Sequence, residues 1–192
     1  MSLRDSLDQG VLRFRSRVKL FTVVFIVMMA SFTVGLFYPV DKGTAKALVK
    51  GFNETVMNEF LSQPTFSGKT LFIFFHNLQV LVMVIVPLAG FPMAVYSAFT
   101  TGLVGSSLAA LIPGLTRLDL LASTFLMPHS LMEYAAFSLA AAESLVVTFS
   151  LLKKRSFREE SVFFLASLVI SASILLLAAT AETLYIIMTN EV

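Results

Sequence analysis

Cysteine is absent from the sequence, which excludes disulfides, thiolate-bound metals and a cysteine nucleophile, and leaves the redox compartment undetermined. Tryptophan is absent too, so an aromatic belt at a membrane surface has to come from Tyr and Phe. Charge is scarce: 14% of the 192 residues are Asp, Glu, Lys or Arg, where a soluble domain carries about a quarter. There is no GxGxxG fingerprint, no phosphate-cradling loop and no haem or flavin signature. The basic residues come without a helix-turn-helix or single-strand-binding pattern, so nucleic acid is not an expected partner. What is abundant is apolar surface, with 57% of residues hydrophobic and 19 phenylalanines.

From Lys69 to Arg117 no charged residue intervenes, an interval long enough for two crossings of about 20 residues each. "GFP" at 90–92 divides it, giving spans near 71–91 and 93–112. Residues 20–38 are uncharged throughout; 129–152 hold only His129, Glu133 and Glu143 as ionisable groups; 161–188 hold only Glu182. The expected fold class is therefore all-α, a polytopic membrane bundle of five transmembrane helices in one domain over 20–190. The first span reads as a retained anchor, because its apolar run exceeds a signal-peptide core and no small-residue cleavage site follows.

Arg4, Arg13, Arg15, Arg17 and Lys19 precede the first span, and Lys153, Lys154, Arg155 and Arg158 follow the fourth. With five spans these two groups share a side, and the positive-inside rule makes it the cytoplasm, with the C-terminus external. Residues 1–19 read as a cytoplasmic basic amphipathic segment, with a topology anchor as the plainer account. The 39–70 loop is expected outside. Within it Ala47, Leu48, Phe52, Val56, Phe60 and Leu61 recur at near-helical spacing up to Pro64, which predicts an interfacial helix interrupted by Gly51. That helix either covers the bundle's outer mouth or lies on the membrane.

Two rows of small residues run along the third span, Ala94-Ala98-Gly102-Ser106-Ala110 and Ser97-Thr101-Gly105-Ala109. Small residues let backbones approach, so this span is expected to pack centrally, within the chain rather than across a dimer. Pro87, Pro92, Pro113 and Pro128 lie in or beside spans, each without a backbone donor. "LDLLASTFLMP" is apolar but too short to cross; it reads as a re-entrant half-helix, with Pro128 opening the next full helix as a first-turn proline.

An ionisable group in the bilayer core is expensive unless it faces the interior and finds a partner. His129 and Glu133 are four apart, on one helix face. Counting about 1.5 Å per residue puts His76, His129, Glu133 and Glu182 in the same outer third, with Asn77 beside them. Two readings stand. In one, His129 pairs with Glu133, Asn77 bonds Glu182, and the network fixes helix register. In the other, His76, His129, Glu133 and Glu182 form an outward-facing site for a proton or a divalent metal such as zinc. Hydrolysis is disfavoured: "HSLME" lacks a two-histidine zinc motif, and adjacent Ser130 and His129 point about 100° apart on a helix. Glu143, among small residues nearer the midplane, reads as a neutral acid bonding a neighbouring helix or as a second, deeper station.

"FFHNLQVLVMVIVPLAGFPMAVYSAFTTGLVGSSL", "FLMPHSLMEYAAFSLAAAESL" and "LLLAATAETLYI" together resemble the stage II sporulation protein M family of integral membrane proteins, over roughly 15–190. His76-Asn77, Pro128-His129, Glu133 and Glu182 occupy its polar motif positions, with His76 in place of an asparagine and Ser130 in place of a glycine. The resemblance implies a non-enzymatic membrane scaffold that recruits membrane partners, as in the member that anchors wall-degrading proteins during engulfment. The expected function is that scaffold, alone or as a homo-oligomer among membrane lipids. The alternative is a cation or proton transporter using the buried cluster.

Overall fold

The computed structural model describes residues 3–154 and 160–189, with side chains from residue 14 onward. Of the two basic groups, the side chains of Arg4 and Arg13, and Arg155 and Arg158 altogether, lie outside the described residues. The described chain is helical: α1 Leu3–Phe37, α2 Lys42–Phe52, a π-helical turn Asn53–Met57, α3 Asn58–Ser62, α4 Phe66–Val84, α5 Gly90–Leu111, α6 Arg117–Leu126, α7 Pro128–Leu152 and α8 Ser161–Thr189. Five helices are long and apolar enough to cross a membrane: Phe14–Phe37 of α1, and α4, α5, α7 and α8. They alternate in direction along the chain, so α1, α5 and α8 run parallel to one another. We call the end carrying α2, α3 and α6 the upper end.

Several boundaries differ from the sequence expectation, each for a local reason. The basic segment is no separate helix, because α1 runs unbroken for 35 residues, about 52 Å at 1.5 Å each. The second span starts at Phe66, because Thr65 Oγ1 accepts from the Gly68 amide at 3.0 Å and caps the helix there. It also ends early. The break lies at 85–89, where Leu88 takes a positive φ of 70° and donates its amide to Thr148 Oγ1 of α7 at 2.7 Å. "GFP" therefore opens α5 instead of dividing the spans, and Pro92 falls in a first turn where its missing donor matters little. Pro128 is the first residue of α7, as expected.

The loop helix begins at Asp41, whose Oδ1 accepts from the amides of Gly43 and Thr44 at 2.9 and 3.0 Å. The Thr44 hydroxyl and these amides hold its carboxyl below the ordinary carboxylate range. Gly51 does not interrupt it. The irregularity is the π-helical turn just after, which takes up an extra residue and keeps Phe52, Val56 and Phe60 on the bundle side at steps of four. Ala47 and Leu61 point outward. The half-helix α6 forms where expected, with a reciprocal cap between Thr116 and Asp119, and packs on α7, α1 and α5.

The most buried span is α7, and α5 packs against α1, α2, α4, α6 and α7, with Ala94, Ala98, Gly102 and Ser106 of its small-residue row buried as expected. The closest approach of that row is to α1. A Cβ on Gly102 would stand 2.1 Å from the Phe32 carbonyl oxygen, and one on Gly35 would stand 2.1 Å from that of Phe99. Hydroxyls tie the helices where backbones are close. Ser31 donates to the Val95 carbonyl at 2.8 Å, Ser106 to Tyr38 at 2.8 Å, and Ser171 to Ala136 at 3.0 Å.

Candidate functional site

Helix ends set the heights of the polar groups, and helix faces decide which of them meet. At the upper end α4, α5, α7 and α8 leave a cavity of about 330 Å³. His76 and Asn77 reach it from α4, Glu133 from α7 and Glu182 from α8. Met28 of α1 and Ser97 of α5 complete the walls, and Phe52 and Val56 lie across it from the α2–π segment. The loop helix thus covers the bundle's mouth, the first of the two placements the sequence allowed. Asn77 Nδ2 donates to Glu133 Oε1 at 2.6 Å and joins α4 to α7. Below them Tyr134 is buried and packs edge-on against Phe32, with ring centroids 5.8 Å apart.

Four of the five cluster residues are brought to this cavity, and His129 is not. Its ring packs against Tyr185 of α8 at 6.1 Å, near the start of α7. The i, i+4 relation with Glu133 holds, but the intervening turn lifts the imidazole out of the cavity. The expected His129–Glu133 pair is therefore replaced by Asn77–Glu133, and Asn77 bonds Glu133 instead of Glu182. The metal set His76, His129, Glu133 and Glu182 does not assemble. Among the described residues no three His, Asp or Glu side chains come together as ligands to one ion.

Glu143 does bond a neighbouring helix, but through a cation of α1, and it does not line the upper cavity. It is 2% exposed, and its Oε1 accepts from Arg17 Nε at 2.8 Å. The same guanidinium bonds Glu160 at the start of α8 and lies over the Phe163 ring, 4.2 Å from its centroid. This lower cluster couples α1, α7 and α8. Placing Arg17 in a segment outside the bundle misses this role. A partial signal is present in the sequence: an acid this far inside a span needs a cation, and Arg17 is among the bases closest to the first span on the same side.

Five crossings, a cavity with two acids under the loop helix at one end and a buried ion cluster at the other define a multi-pass membrane protein with an acid-bearing interior. The model of the family described as stage II sporulation protein M matches residues 20–185, most of the chain, and the chain belongs to that family. No curated protein and no solved structure matches it.

Proposed function

We propose that the protein is a non-enzymatic membrane protein whose upper cavity takes up a proton or a small cation from the side bearing α2 and α3, the external side by the positive-inside rule. One observation carries this reading: two carboxylates from different helices, Glu133 and Glu182, line one cavity together with an imidazole and an amide. Such groups in a span are costly without a use or a partner, and of the two carboxylates only Glu133 has a side-chain hydrogen bond there among the described residues. In liposomes the purified chain should give saturable proton or monovalent-cation flux that falls at least tenfold in Glu133→Gln and in Glu182→Gln. Absence of saturable flux, or flux indifferent to both changes, overturns it.

A second reading, the partner-recruiting scaffold, has its own support in family membership and in the Asn77–Glu133 bond, which can serve as a clamp between α4 and α7. Glu133→Gln separates the two, because the amide oxygen still accepts from Asn77 while the charge is gone. A scaffold keeps its full role in Glu133→Gln and loses it only in Glu133→Leu.

A further inference from the structure

A second cavity of about 320 Å³ lies on the other side of α4, against α3, and about half of its lining is polar, from Thr55, Glu59, Gln63, His76 and Gln79. It shares two residues with the upper cavity, Phe72 and His76. Their rings are stacked, with centroids 6.3 Å apart and planes 19° from parallel. Helical geometry explains the division. Successive residues turn about 100°, so His76 stands between the Phe75/Gln79 face and the Ile73/Asn77 face, and Phe72 lies one turn from it on the same edge. The π-helical turn divides the opposite wall in the same way, giving Thr55 to one cavity and the neighbouring Val56 to the other.

We infer that this cavity is the entrance to the upper one, that the Phe72–His76 stack is the partition between them, and that a small cation is what enters. The inference rests on the cation reading above for what enters, but the route itself stands on the shared partition. The entrance offers one carboxylate, Glu59, with amide and hydroxyl oxygens, which suits a cation and disfavours an anion. Lys69, in the first turn of α4, has its ammonium over the Phe60 ring at 4.8 Å and lines neither cavity.

The cysteine-free chain permits a direct test by thiol labelling of the full-length protein in lipid nanodiscs, where both faces meet reagent. Gln79→Cys reports the entrance and Ser97→Cys the upper cavity. A small cationic methanethiosulfonate should label Gln79→Cys at least tenfold faster than Ser97→Cys, and faster than an anionic reagent of equal size does. Adding Phe72→Ala should accelerate Ser97→Cys at least tenfold and leave Gln79→Cys within twofold. His76→Ala, at an exposed position, should act in the same direction and covers the case in which Phe72→Ala misfolds. Equal parental rates at the two positions, no acceleration by either partition variant, or preference for the anionic reagent overturns the inference. Labelling reads the route whether or not flux exists. Correct labelling without flux removes the cation function alone, and flux with indifferent labelling removes the route alone.

Discussion

Replacing glycines one at a time by alanine should give a graded stability series whose order follows what the added methyl meets. At Gly102 it meets the Phe32 carbonyl oxygen at 2.1 Å and the Leu36 amide nitrogen at 2.7 Å, both backbone atoms of α1. Restoring ordinary contact near 3.4 Å requires α1 and α5 to separate by about 1.3 Å, which loosens a close-packed seam and its serine bonds, so the loss should be about 2–3 kcal/mol. Gly35→Ala presses on Phe99 from the other side and should behave alike. At Gly105 the nearest atom is the flexible Leu36 Cδ1 at 3.0 Å, so the change should stay within about 1 kcal/mol. At Gly51 nothing lies within 4 Å, and alanine should stabilise by up to about 1 kcal/mol through helix propensity. Reversible unfolding in mixed detergent–SDS micelles, followed by circular dichroism at 222 nm, measures each difference. A Gly102→Ala protein within about 0.5 kcal/mol of the parent (roughly a twofold change in the folding constant), or one more stable than Gly51→Ala, would refute the α1–α5 packing described.

The remaining predictions concern charge. Arg17→Met leaves Glu143 buried without its cation and should lower stability by about 3 kcal/mol in the same assay, while Arg17→Met with Glu143→Met should recover most of that loss. His129→Ala should leave any Glu133-dependent flux within twofold of the parent, since the imidazole packs on Tyr185 outside the cavity. Thr116 bonds hold the Asp119 carboxyl below its ordinary range, as Thr44 does for Asp41. Because the folded-state value is depressed, this support is present above the unfolded value near 4 and is lost as pH falls through the folded one. Hydrogen exchange in the first turns of α2 and α6, corrected for intrinsic rate, should therefore rise below about pH 4. In α6 that dependence should vanish in Asp119→Asn.

Much of the architecture is written locally. The uncharged runs mark five spans because unpaired charge is expelled from lipid, and Pro128 marks the start of α7 because a first-turn proline forgoes no bond. The common height of His76, Asn77, Glu133 and Glu182 also follows from counting residues along helices. Rotation about each helix axis does not. Packing between distant segments settles it: Gly35 against Gly102 seats α1 on α5, and α7 turns Glu133 toward Asn77 and leaves His129 to Tyr185. The Arg17–Glu143 pair joins residues 126 positions apart; the acid's need for a cation is legible, but no local pattern says which base meets it. Apolar periodicity tells which face of the loop helix is greasy, but not what that face covers. Height is a sum of rises along one chain segment, whereas partnership depends on several helices turning together, and only the folded bundle fixes that.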